Sequence, residues 1–227
     1  MLKRALLSSG LALVVSATTF AASAPVMSNA SNFAGFYLGG SIGVSNQYFD
    51  VDGKTSSGTK IFSGKTGSYG AAFQLLGGYN YAFTNNWLIG ADIHGQYDTN
   101  TDSRHDDHET NTAHGQSKMP WQYGIEAKVG FAPFARNLFY AVAGPEWGVY
   151  DHKFIHNGVT IFDKNSTLLG GLVGLGAEQA LTNNIMLAEQ VNYTLYRTAS
   201  DTGLNGDKVY AKPRVVTALL SLQYRFA

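Results

Sequence analysis

Cysteine is absent from this 227-residue chain. No disulfide framework exists, although an oxidising compartment is permitted; thiol catalysis and cysteine-ligated zinc are excluded. A charge imbalance is missing too: 16 basic residues face 16 acidic ones, and charged residues make up only 14% of the chain. Nothing in that balance argues for nucleic acid. No stretch has about 18 consecutive apolar residues, so the chain does not read as a helical membrane protein. What is abundant is glycine, at 26 residues, with 13 tyrosines and 13 phenylalanines. That suits a β-rich protein with small residues where strands crowd.

The first 24 residues have the layout of a secretory signal. Lys3 and Arg4 precede a short apolar run from Ala5 to Ala17, and the small residues Ala21-Ala22-Ser23-Ala24 follow. The run is too short to span a membrane as a helix. Cleavage is expected near 21–24. A cut after Ala24 would leave Pro25 first, so a cut after Ala21, with Thr19 two residues earlier, is preferred. Loss of Lys3 and Arg4 leaves a formal charge of about −2. Residues 25–34 read as a small-polar lead-in, and 35–227 as one domain.

The C-terminal stretch is the most legible. From Pro213 to Phe226, even positions carry Val216, Ala218, Leu220, Leu222, Tyr224 and Phe226, whereas odd positions turn polar at Ser221, Gln223 and Arg225. A period of two is that of a β-strand. The aromatics sit at one end, as at a membrane–water interface. Seven upstream stretches follow the same rule: 35–46, 70–83, 87–97, 119–132, 138–150, 166–181 and 185–197. In the fifth, Gly144-Pro145 predicts a bulge, because proline cannot donate to a ladder. The seventh alternates least well and leaves Glu189 on the apolar side.

The connections alternate in length. Three are short turns, at Thr84-Asn85-Asn86, Pro133 to Asn137 and Thr182-Asn183-Asn184. Four are long polar loops, at about 47–68, 98–118, 151–165 and 198–212. Short turns at one end, long loops at the other and an even strand number describe an outer-membrane barrel. The predicted fold is therefore all-β: an eight-stranded antiparallel up-and-down transmembrane β-barrel. Lipid cannot satisfy backbone amides, so an open sheet edge would be costly and the last strand must close on the first.

Eight strands enclose an interior that side chains just fill. Gln74, Asp92, His94, Gln122, Glu126, Lys128, Glu178 and Arg225 are predicted to form a polar network there, with the two basic groups paired to carboxylates, since an unpaired charge would be costly. Asp92, His94 and Glu126 are also the residue types of acid–base catalysis. With Lys128 and Arg225 nearby they read more simply as a structural ion-pair network, and no Ser-His-carboxylate set is evident. His105, Asp106, Asp107, His108 and His114 could bind a metal, but they read more simply as a solvated loop tip. Gly170, Gly171, Gly174 and Gly176 lack the helix and Lys-Ser/Thr of a phosphate loop. No catalytic residue, cofactor or metal is assigned.

Taken together, the signal segment, the opening Gly35-Phe36-Tyr37-Leu38-Gly39-Gly40, the stretch Leu175-Gly176-Ala177-Glu178 and the closing Tyr224-Arg225-Phe226 resemble the OmpA-like and opacity-type eight-stranded outer-membrane barrels of Gram-negative bacteria. The resemblance covers nearly all of the mature chain. It implies localisation in the bacterial outer membrane and contact with outer-membrane lipid. It also implies folding by the outer-membrane assembly machinery, read from Leu222, Tyr224 and Phe226 on the last strand. Here Ala227 follows Phe226, a departure from a terminal phenylalanine. The family shares no catalytic residues. The expected role is structural or interactive: a rigid scaffold displaying four loops for envelope integrity, adhesion or contact with host or cell-surface ligands. A small-solute channel, a lipid-modifying enzyme or hydrolase, and a soluble lipocalin-like barrel are the rival readings.

Overall fold

A computed structural model describes residues 28–54, 60–100, 103–106, 113–156, 159–202 and 208–226. The signal segment, residues 25–27 of the lead-in and Ala227 lie outside the described residues. A 3-10 turn at Asn29–Phe33 precedes ten strands: β1 (Gly35–Lys54), β2 (Lys60–Ala82), β3 (Trp87–Asp98), β4 (Ser103–Asp106), β5 (Ala113–Phe134), β6 (Asn137–His156), β7 (Val159–Ala180), β8 (Ile185–Tyr196), β9 (Ala199–Thr202) and β10 (Lys208–Arg225). Eight of these form the wall, each antiparallel to its neighbours. The barrel closes where β10 pairs with β1, from Tyr37 opposite Arg225 to Lys54 opposite Lys208. The short β4 and β9 pair with β5 and β10, above the ends of β3 and β8.

The three short turns fall where the spacing predicts them. Asn86 takes a positive φ of 68° in the first, a conformation asparagine tolerates better than most residues. The long loops differ from expectation. Much of each is paired strand: β1 runs to Lys54 and β2 begins at Lys60, while β6 and β7 stay paired as far as His156 opposite Val159. A tilted strand crosses the hydrocarbon in about 9–11 residues. The wall of 20 residues in β1 and 23 in β2 therefore continues well past the membrane. Outside lipid the outer face of a strand is wet and need not be apolar, so the sequence loses its clear alternation although the hydrogen-bonded ladder persists.

Within the membrane the alternation holds on all eight staves. Leu38, Ile42, Leu75, Ile93, Leu175 and Leu222 point outward and are exposed. Aromatic pairs ring both ends of this apolar band: Trp87 with Phe131 and Tyr224 with Phe226 at the turn end, Tyr97 with Trp121 and Tyr123 with Trp147 at the loop end. These are the interfacial girdles of a membrane barrel. No helix among the described residues is long and apolar enough to cross a membrane.

One expectation about the wall is corrected. Gly144-Pro145 makes no bulge. The β5–β6 register is the same on both sides, with Gly124 opposite Glu146 and Ala127 opposite Ala143, and β7 pairs without a break from Gly144 to Glu146. Pro145 points outward, exposed, where its missing N–H is tolerated, and the alternation carries Glu146 inside. Gly144 is required by close approach: a Cβ there would lie 1.8 Å from Ile125 O. The register does shift between Lys118 and Trp121, around Pro120.

The lead-in packs against the turn end of the barrel. Its last residues form the 3-10 turn that seals the turn end, with Ala30 and Phe33 fully buried. Asn29 Nδ2 donates to Pro133 O at 3.2 Å, Asn32 Nδ2 to Ala135 O at 2.6 Å, and Asn80 Nδ2 to Phe33 O at 3.0 Å.

Candidate functional site

The interior is layered. At the turn end, Phe33, Leu88, Leu138, Val142, Leu172 and Met186 form one apolar cluster. At the loop end, Phe49, Met119, Tyr150, Tyr196 and Val215 form another. Buried polar side chains occupy the space between them. Period two delivers these side chains: every second residue of a stave enters the lumen, so Asp92, His94, Gln96 and Asp98 all project inward from β3.

In the central layer Tyr37 OH donates to Asp92 Oδ2 at 2.6 Å and accepts from Lys128 Nζ at 2.9 Å, while Lys128 Nζ lies 3.3 Å from Asp92 Oδ2. The ammonium also sits 4.8 Å from the ring centres of both Tyr37 and Tyr140, a geometry in which aromatic faces help to hold a cation. Beside this triad, His94 lies between two carboxylates. Its Nε2 is 3.0 Å from Glu146 Oε2 and its Nδ1 is 3.4 Å from Glu126 Oε1. Gln190 Nε2 donates to Glu126 Oε2 at 3.1 Å and to Asn192 Oδ1 at 2.9 Å, and Gln190 Oε1 accepts from Tyr140 OH at 3.0 Å.

A second polar group lies toward the loops. Asp98 accepts four neutral donors: Ser45 Oγ at 2.6 Å, Gln122 Nε2 at 2.7 Å, Gln96 Nε2 at 2.9 Å and Gln47 Nε2 at 3.0 Å. Tyr196 OH extends the group by donating to Gln122 Oε1 at 2.9 Å. Charge-assisted bonds of this kind offset the desolvation of a buried carboxylate.

Of the predicted network, Gln74, Asp92, His94, Glu126 and Lys128 meet around one small central cavity. Gln74 Oε1 accepts from Ser41 Oγ at 3.1 Å. Gln122 belongs to the Asp98 group instead. Glu178 is buried, and neither of its carboxylate oxygens makes a hydrogen bond. Arg225 departs from expectation. Among the described residues it meets no carboxylate; it lies at the turn-side rim, donating to the backbone carbonyls of Ser31, Ala34 and Asn183. It thereby ties the 3-10 turn to the β7–β8 turn. Leu222, Tyr224 and Phe226 face outward on the last strand. Of the acidic, histidine-rich loop, Asp107 and His108 lie outside the described residues, as do the side chains of His105, Asp106 and His114.

Sequence reasoning missed Tyr37, Gln47, Asp98, Glu146 and Gln190 as a group. Parity could have supplied Glu146, since Leu138, Tyr140 and Val142 already mark even positions of β6 as inward. It could also have supplied Asp98, two residues beyond Gln96.

A closed antiparallel barrel with an apolar band, two aromatic girdles and a polar interior defines an integral outer-membrane protein of the β-barrel class. The chain belongs to the outer membrane protein beta-barrel domain family, whose pattern matches residues 10–226, and it resides in the bacterial outer membrane. Among solved structures it is similar to the outer membrane protein OprG from Pseudomonas aeruginosa, with 14% identity over 85% of this chain and 97% of that one, and a TM-score of 0.51. It also resembles Ail, the attachment invasion locus protein of Yersinia pestis, with 18% identity over 82% and 99% and a TM-score of 0.38. Neisserial surface protein A matches with 16% identity over 85% and 98% and a TM-score of 0.42. Identities this low speak to the fold alone. No curated protein matches the chain.

Proposed function

We propose that this protein is a non-conducting, non-enzymatic surface scaffold of the outer membrane, which holds four hairpin loops outward for envelope integrity or for adhesion to host or other cell surfaces. The observation that carries this reading is the filled interior. An apolar cluster lies toward each end of the interior, and the polar layer between them surrounds a cavity of only about 10 Å³, roughly one water; both support a closed lumen. A solute path would have to pass both clusters. The paired β-structure beyond the membrane supports the display role, because it carries the loop tips on a stiff wall. Outer-membrane lipid is the partner along the apolar band. The outer-membrane assembly machinery is the expected partner of the last strand, through Leu222, Tyr224 and Phe226.

Planar-bilayer recordings on the purified barrel test the closed lumen. The expected result is no stable conductance step; reproducible steps would favour the channel. Replacing each loop tip singly and measuring binding of intact cells to host or abiotic surfaces tests the display role. At least one replacement is expected to reduce binding, and unchanged binding with all four would remove its support.

A further inference from the structure

The central layer holds more acceptors than donors. Asp92, Glu126, Glu146 and Glu178 are all buried, and Lys128 is the only buried lysine or arginine among the described residues. Lys128 is committed to Asp92 and Tyr37. That leaves His94 between Glu126 and Glu146. With its one proton on Nε2, the nitrogen nearer its carboxylate, a neutral His94 offers a lone pair at Nδ1. That lone pair confronts a carboxylate oxygen. His94 Nδ1, Glu126 Oε1 and Glu146 Oε2 are all buried and none makes a hydrogen bond, and Nδ1 and Glu126 Oε1 lie 3.4 Å apart with both side chains only 3% exposed.

A separation of 3.4 Å is too long for a good N–H···O bond, which spans about 2.7–3.2 Å. It is the right length for one edge of a metal tetrahedron. Ligands held about 2.0–2.1 Å from zinc stand roughly 3.3–3.4 Å from each other. A third ligand is at hand, since donor atoms of Asp92, His94 and Glu126 all lie within 4.8 Å of one another. These three residues line the central cavity, whose volume of about 10 Å³ suits a single small occupant.

We propose that the barrel interior binds one divalent transition-metal cation of the zinc class through His94 Nδ1, Glu126 Oε1 and Asp92. One imidazole with carboxylates favours zinc, cobalt or manganese over calcium and magnesium, which prefer all-oxygen shells. Tyr37 and Lys128 occupy Asp92 Oδ2, which leaves Oδ1 for the metal. Glu146, 3.0 Å from Nε2, is the positioning residue that orients the imidazole, as outer-shell carboxylates do in other histidine–metal sites. The cation offsets part of the buried negative charge. The site lies between two apolar clusters, and its ligands come together only in the folded barrel, so that metal affinity and folding are linked.

The test uses the mature chain folded in detergent with Zn²⁺ or Co²⁺ and then dialysed against a chelator. One metal per barrel is expected, with the absorption of tetrahedral Co²⁺ and an X-ray absorption spectrum showing one imidazole among oxygen ligands. His94→Gln and Glu126→Gln abolish the bound metal, and Glu146→Gln weakens it by about 10–100-fold. The triple variant His105→Ala, His108→Ala, His114→Ala, in the loop, retains it. A wild-type barrel that keeps no metal would overturn the proposal, leaving His94 a protonated bridge between its carboxylates. So would metal lost with the loop triple variant but retained by His94→Gln. The wild-type spectrum decides the matter even if an interior variant fails to fold.

Discussion

The side-chain amide of Gln47 on β1 grips the backbone N–H and C=O of Met119 on β5 across the interior. Gln47 Nε2 donates to Met119 O at 2.8 Å, and Met119 N donates to Gln47 Oε1 at 3.1 Å. Met119 lies where the β5–β6 register shifts and beyond the last β3–β5 pair, Tyr97 opposite Trp121. Its peptide groups have lost the strands that would pair them. A primary amide has the same donor and acceptor as a peptide, so Gln47 serves as one residue of a missing strand. The same side chain donates to Asp98, which couples the backbone irregularity to the loop-side polar group.

Gln47→Leu is therefore expected to destabilise the barrel. It orphans a buried N–H and a buried C=O and removes one of the four donors to Asp98; an orphaned buried group costs about 1–3 kcal/mol. Urea unfolding in lipid vesicles, followed by tryptophan fluorescence, should show a lower midpoint with an unchanged slope. Asn46→Ala, which removes only an exposed bond to Tyr48, should stay within about 0.5 kcal/mol of the parent.

Lys128→Met should be far more harmful than its volume suggests. Asp92 would be left as a buried charge without its cation, and breaking a buried pair from one side costs about 3–5 kcal/mol. Adding Asp92→Asn removes the stranded charge, and Tyr37 OH can still donate to the new amide oxygen. The double variant is expected to recover much of the loss. A double-mutant cycle on unfolding free energies checks this, and a double variant no more stable than Lys128→Met would contradict the assignment of Lys128 to Asp92.

How much of this was legible follows from what lipid does to a sequence. Between the girdles one face of each stave meets hydrocarbon and the other a crowded interior. That difference is what fixed the inward placement of Asp92, His94, Glu126 and Lys128 by parity alone. Beyond the girdles the contrast disappears, and Gln47 and Asp98, both read as loop, turned out to be inward-facing wall. Arg225 had the right parity but the wrong depth: as the last residue of β10, it reaches the carbonyls of the turns with its guanidinium. Pro145 was read by its missing donor alone, and its outward placement removed the expected conflict. The pairing of His94 with Glu146 across β3 and β6 depends on how the barrel closes, which no single strand's pattern records.

Gly144→Ala is expected to block assembly, because the added Cβ would meet Ile125 O at 1.8 Å and β5 and β6 would have to part. Gly171→Ala is the matched control: it lies on β7 opposite Pro145, with nothing within 4 Å of its added Cβ. The amount of each variant recovered in the outer-membrane fraction, resistant to urea extraction, measures the effect. Equal recovery of the two would show that the close approach at Gly144 is not limiting.

Leu220 tests the orientation of the entire wall. It lies on β10 opposite Ile42 of β1 and faces outward, four residues from the girdle residue Tyr224. That distance places it deep in the apolar band. An arginine there is expected to cost about 2–4 kcal/mol, falling to about 0–1 kcal/mol near an interface. Leu220→Arg should therefore lower unfolding stability in vesicles much more than Tyr224→Arg, although Tyr224 is the larger side chain removed. A soluble barrel with water outside would reverse the order, since aqueous solvent accepts an exposed arginine and the lost aromatic contact with Phe226 would dominate. The ranking of these two variants separates the lipid-facing wall from its aqueous alternative without any knowledge of the loops.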